Sequence, residues 1–209
     1  MLAILIFYTG FLVGNLLTVL FSLFSQTSHQ SFSYPNCKKT FWRAISSYFL
    51  PFSSHYLIKY HLKQNHKAYL ECLMGLLFLF TYKGYFSATE LYLLSLSLLL
   101  SRFDLQEMQY PFVIWLVSFI GQIFFSSFHF LCLIFLLLAL ITQLFPLHIG
   151  SGDFLYLASL SLLLPTTSLL WLIQLASCLA ILACLFFRVK KIPFIPYLST
   201  SFVIILLCI

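Results

Sequence analysis

His148-Ile149-Gly150-Ser151-Gly152-Asp153-Phe154 sets a glycine-bracketed aspartate between two long apolar runs. Its counterpart upstream is Ser101-Arg102-Phe103-Asp104-Leu105, which again ends an apolar run. Asp104 and Asp153 are the only aspartates among 209 residues. An aspartate at the centre of a membrane helix costs about 2.5 to 3.5 kcal/mol, so an acid close to a bilayer is a functional candidate by default. Two of them, in a chain with few other acids, suggest a dyad.

The runs on either side set the class. The chain is 62% hydrophobic and 8% charged, with 25 Phe and a mean hydropathy of +1.02, whereas soluble domains are about 45 to 50% apolar and 25% charged. Eleven cationic and five acidic residues cannot clothe a water-soluble domain of this length. The expected fold is therefore all-α and polytopic, an integral membrane protein whose first partner is the lipid bilayer. The pI near 9.0 reads as a topology signal, and no nucleic-acid partner is expected. The six cysteines include no CxxC pair and five lie in apolar runs, which supports neither a disulfide framework nor a zinc knuckle. Met1 to Phe24 lacks the basic start and small-residue cleavage site of a secretory signal and reads as a retained span.

Hydropathy marks about eight transmembrane helices: Leu2 to Phe24, Tyr69 to Tyr82, Ala88 to Phe103, Pro111 to Ser127, His129 to Pro146, Phe154 to Pro165, Ser168 to Phe187 and Pro193 to Ile209. Three regions follow: a first helix over 1–24, a basic loop over 25–68 and a membrane core over 69–209. The loop holds six of the eleven cations and no acid, which sets it on the cytoplasmic side. Alternation then leaves Lys83 as the one cation outside and delivers Asp104 and Asp153 to the cytoplasmic face. Gly10 and Gly14 are expected to let the first helix pack closely on another, and Pro146 and Pro165 to mark breaks.

Gly150 and Gly152 are expected to supply positive φ and close backbone approach, with Asp153 opening the next helix. Each aspartate also has a plainer reading, Asp153 as a helix cap and Asp104 as an interfacial residue in a turn. If the carboxyls meet within about 4 Å, their repulsion at an effective dielectric of 20 is about 4 kcal/mol, or about three pKa units. One proton is then shared, as in an aspartic protease: the charged carboxylate takes a proton from water while the protonated one polarises the scissile carbonyl. No Ser/His/Asp set competes, since no GxSxG elbow accompanies His148.

These residues resemble the type IV prepilin peptidases, membrane aspartic proteases also called leader peptidases. The family's GxGD motif is matched by Gly150-Ser151-Gly152-Asp153, and its first aspartate by Phe103-Asp104-Leu105 with Pro111 downstream. Gly14-Asn15-Leu16-Leu17-Thr18-Val19 is similar to the family's GSFLNV, and Tyr69-Leu70-Glu71-Cys72-Leu73-Met74-Gly75 to its YPLVELLTG. Lys191-Ile192-Pro193-Phe194-Ile195-Pro196-Tyr197-Leu198 is similar to its KIPFGPFL. The five segments are collinear over nearly the whole chain. The resemblance implies an aspartic endopeptidase in the cytoplasmic membrane, with Asp104 and Asp153 catalytic. Gly150, Gly152 and Glu71 are expected to support them. Its substrates would be prepilins or pseudopilins, cut after a short basic leader at the cytoplasmic face. By analogy, the small cysteine-poor form suggests a member that processes competence pseudopilins.

The chain departs from the family where the bifunctional members hold zinc and methylate the new N-terminus. Cys37 is kept, but Thr40 stands where its mate would be, and a second CxxC is missing. One thiol cannot make a tetrahedral thiolate site. Rescue by His55, His61 and His66 is the alternative to solvated loop histidines. No cofactor is expected, and methylation is not implied. Leu155 replaces a basic residue common after GxGD. The rival readings are a small proton-coupled transporter or membrane assembly factor, in which the aspartates pair with Arg102 and Arg188, and an inactive peptidase homologue. Glu71 either supports the active site or caps its helix.

Overall fold

The computed structural model describes residues 1–24, 69–108, 111–126, 129–145, 150–187 and 192–208. They form eight α-helices and no strand, one for each apolar segment of the sequence. The basic loop with Cys37, Thr40, His55, His61 and His66 lies outside the described residues, as do Pro146, His148, Arg188, Lys190 and Lys191. One helix, over Thr166–Phe186, is long and apolar enough by length and composition to cross a membrane, while five others are apolar over 10–17 residues. The chain divides into two compact units, Met1–Phe86 and Ser87–Ile209.

In the first unit, α1 (Leu2–Phe24) packs on α2 (Tyr69–Tyr82). A Cβ at Gly10 would fall 2.7 Å from the Met74 carbonyl oxygen, and one at Gly14 would fall 2.6 Å from the Glu71 Cα. Both are closer than a real Cβ approaches backbone, so the expected close packing through these glycines is present. Met74 and Phe21 are fully enclosed. α2 closes on Gly84, whose φ of 84° suits a residue without a Cβ. There the Tyr85 N–H donates to the Phe80 carbonyl and the Gly84 N–H to that of Thr81, and the Tyr85 and Phe80 rings meet edge to face at 5.8 Å. This is a Schellman closure with its apolar contact.

The second unit begins with a capping box. The Ser87 N–H donates to Glu90 Oε2 at 2.6 Å and the Glu90 N–H to Ser87 Oγ at 3.3 Å, satisfying two orphan donors at the start of α3 (Ala88–Glu107). Then follow α4 (Phe112–Ile123), α5 (Phe130–Leu144), α6 (Ser151–Ser161), α7 (Thr166–Phe187) and α8 (Ile195–Cys208). α6 packs chiefly on α5, and α8 on both α3 and α7. The expected break at Pro165 is present, between the end of α6 and the start of α7.

α4 and α5 bury narrow stripes at spacings of three and four, Trp115-Phe119-Gln122 and Cys132-Phe135-Ala139. Their other faces stay apolar and open, as at Val113, Val117, Leu137 and Leu140. At 1.5 Å per residue the 12 residues of α4 rise about 18 Å, short of a hydrocarbon core of about 30 Å.

Gly14→Ala is expected to destabilise the first unit by about 1 to 3 kcal/mol, because the new methyl meets backbone that has nowhere to move. Thermal unfolding of the detergent-purified full chain measures this. Gly150→Ala, whose Cβ would meet Asp153 Oδ2 at an ordinary 3.4 Å, is expected to cost less.

Candidate active site

α3 does not stop where its apolar run stops. It continues past Phe103 to Glu107, so Asp104 stands in its last turn rather than in a turn between helices. The helix closes at Met108, in the left-handed region with φ of 52°, where the Met108 N–H donates to the Asp104 carbonyl at 3.0 Å. The Asp104 side chain is 8% exposed, and its Oδ2 accepts the Ile195 N–H at 3.0 Å. Ile195 is the first residue of α8. Its N–H is one of the donors that a helix start leaves without an internal acceptor. The neighbouring prolines, Pro193 and Pro196, have no N–H to offer. The first bonds inside α8 run from Tyr197 and Leu198 back to the Phe194 carbonyl, so Asp104 caps this helix from across the bundle.

Asp153 is the third residue of α6, and the helix cap is Gly150. The Gly150 backbone is extended, with φ of −66° and ψ of 131°, and Gly152 lies inside the helix. Gly84 is the described glycine with positive φ. The expectation of left-handed glycines around Asp153 is thus corrected: any residue adopts the Gly150 conformation, and the GSG stretch forms a helix start.

Both carboxyls lie just outside the apolar runs, Asp104 after Phe103 and Asp153 before Phe154. Burial pushes the Asp153 carboxyl up to about 7, with the negative charge of Asp104 adding to the effect. The two aspartates therefore stand within electrostatic reach of each other. Burial also raises Asp104, but the N–H groups of Ile195 and Phe194 oppose the rise by favouring its anion.

Glu71 belongs to the first unit. It lies in the first turn of α2, 6% exposed, and its Oε1 accepts the Thr18 hydroxyl at 2.9 Å. Its Oε2 is buried with no hydrogen-bond partner among the described residues. Of the segments quoted for the family resemblance, Gly14 to Val19 and Tyr69 to Gly75 thus meet at Thr18 and Glu71, and Asp104 meets Ile195.

Residues to which sequence reasoning gave no role complete the surroundings. Ser97, Ser101 and Asp104 stand at i, i+4 and i+7 of α3, a single buried stripe. Ser97 bonds the Tyr156 hydroxyl of α6, and Ser101 bonds Ser199 of α8 at 2.8 Å. The Trp115 indole of α4 donates to the Leu155 carbonyl at 2.9 Å and to Ser159 at 3.0 Å. The helical spacing of the two serines and the aspartate was the available signal; their partners left none.

Comparison of the chain with protein-family models, with curated proteins and with solved structures returns no match.

The raised Asp153 carboxyl has a stability consequence. Folding strengthens its hold on the proton, so the fold is favoured below the ordinary carboxylate value of 3.8 and loses this contribution as pH rises from there through about 7. In infrared titration of the purified chain, a protonated carboxyl band is expected to disappear near pH 7, and Asp153→Asn to abolish it. Asp104→Asn removes the like charge and is expected to move the transition to lower pH. A band that ignores Asp104→Asn would show that the two groups are not coupled.

Proposed function

We propose that the chain is a polytopic membrane aspartic endopeptidase of the prepilin peptidase type. It removes the short basic leader of prepilins or pseudopilins at the cytoplasmic face of the cell membrane. One observation carries the reading: the only two aspartates of the chain, 49 positions apart, lie at the ends of different helices, and burial, with the charge of Asp104 added to it, raises Asp153. Two carboxyls whose charges oppose each other favour a state with one proton between them, and that state suits water-mediated peptide hydrolysis.

The ionised carboxylate takes a proton from water as the water oxygen bonds to the scissile carbonyl carbon. The protonated carboxyl gives its proton to the carbonyl oxygen, and a neutral tetrahedral intermediate forms. Collapse returns one hydroxyl proton to the pair, a proton passes to the leaving nitrogen, and the C–N bond breaks. The pair ends with one proton, as it began. Because the two groups titrate together, the apparent acid and base pKa values belong to the dyad.

The membrane arrangement supports the same reading. Ten of the eleven cations fall on one side when the eight helices alternate across the bilayer, and both aspartates come to that side. A substrate whose apolar helix lies in the bilayer would present its leader junction at that level. The open apolar faces of α4 and α5 suit lipid contact. The collinear motifs point to pilin-like substrates, with competence pseudopilins the nearest analogy.

Asp104→Ala and Asp153→Ala are each expected to lower leader removal by at least about 10²- to 10⁴-fold, the usual worth of a positioned acid or base. Co-expression with a prepilin, scored by the shift of the product on a gel, measures this, with membrane fractionation checking that insertion is unchanged. A single aspartate variant that still cleaves would refute the assignment.

A further inference from the structure

The helices that carry the two aspartates pack mainly on other partners, α3 on α8 and α6 on α5. A buried polar link joins α3 to α6, the hydrogen bond between Ser97 and Tyr156. Tyr156 is completely enclosed and Ser97 is 1% exposed, so no solvent competes for the bond. Ser97 Oγ also lies 2.6 Å from the Leu93 carbonyl, so a phenol that donates to Ser97 while Ser97 donates to Leu93 gives both hydroxyl protons an acceptor. Tyr156 lies one turn beyond Asp153, and Ser97 lies two turns before Asp104 on the stripe that ends in that carboxyl.

We infer that Tyr156, through its hydrogen bond to Ser97, is a positioning residue that fixes the separation of Asp104 and Asp153. This rests on the reading of the aspartates as a working pair. Their mutual repulsion falls as the inverse of their distance, so the split between the two ionisations of the dyad reports that distance. The helices against α6 bring no other charge: α4, α5 and α7 contain no Asp, Glu, Lys, Arg or His, and their ionisable groups are Cys132, Cys178 and Cys184. α3 contributes Glu90, Arg102, Asp104 and Glu107, and the negative charge of Asp104 adds to the rise of Asp153. On α8 the ionisable side chains are Tyr197 and Cys208.

Tyr156→Phe removes one hydroxyl and leaves the packed ring in place, and Ser97→Ala removes the partner hydroxyl from the other side. The full chain, purified in detergent, is titrated by infrared spectroscopy, following the carboxyl band that Asp153→Asn removes. Each single variant is expected to move that titration toward lower pH, and the double variant no further than either one. In the cleavage assay the basic limb of the pH profile is expected to move with it, with kcat down about ten- to a hundredfold and KM unchanged. Wild-type titration in Ser97→Ala, or effects that add in the double variant, would overturn the positioning role, including where Tyr156→Phe fails to fold. The titration is read without substrate. A chain that shows the expected shifts but leaves prepilins intact would overturn the peptidase reading and leave the positioning role standing.

Discussion

The bundle of the second unit depends on a carboxylate meeting a helix start. Asp104 is nearly enclosed, and a buried charge without partners is among the most costly features a fold can carry. The start of α8 has the complementary defect, backbone N–H groups with no acceptor inside the helix. Bringing Asp104 to Ile195 cures both at once, and the partial positive charge at a helix N-terminus favours the anion. One turn away, the Ser101 and Ser199 hydroxyls repeat the link between the same two helices. α3 and α8 are thereby joined at two points, one turn apart.

The two carboxyls are treated unequally by this arrangement. Asp104 is supplied with donors that hold its charge, whereas among the described residues the dominant influences on Asp153 are burial and the charge of its neighbour. That difference favours the charge on Asp104 and the proton on Asp153. It arises from the position of each residue on its helix: Asp104 faces the start of a different helix, while Asp153 is part of the opening turn of its own.

Much of this was legible in the sequence. Eight apolar segments became eight helices, Gly10 and Gly14 became a tight helix contact, and Pro165 became a break. The errors share a cause. Hydropathy reports where apolar surface ends, which is a different place from where hydrogen-bonded helix ends. α3 therefore runs four residues past Phe103 through polar sequence, and α6 starts three residues before Phe154. Gly150 and Gly152 read as positions of positive φ, yet the cap and first turn of a helix hold glycine in ordinary backbone geometry. The partners of Ser97, Ser101 and Asp104 lie 59, 98 and 91 positions away, and no local pattern marks a contact at that distance.

The hydroxyls and the aromatic donors divide the work between helices for a chemical reason. A serine or threonine within a helix readily donates its one proton to a carbonyl three or four residues back, as Ser97 does to Leu93, Ser177 to Ile173 and Thr81 to Leu77. Such a group has only lone pairs left for a neighbouring helix. Thr18 is the exception, sharing its proton between the Gly14 carbonyl of its own helix and the Glu71 carboxylate of the next, whereas the long, rigid phenol and indole reach across with no such local acceptor to satisfy. α6 has only 11 residues, too few to be a stable helix by itself, and it uses both kinds of donor. The Tyr156 hydroxyl bonds outward to Ser97 of α3, and Trp115 donates inward from α4 to Leu155 and Ser159. The helix that carries Asp153 is thus held from two sides within two turns of the carboxyl, by the Tyr156 phenol and the Trp115 indole.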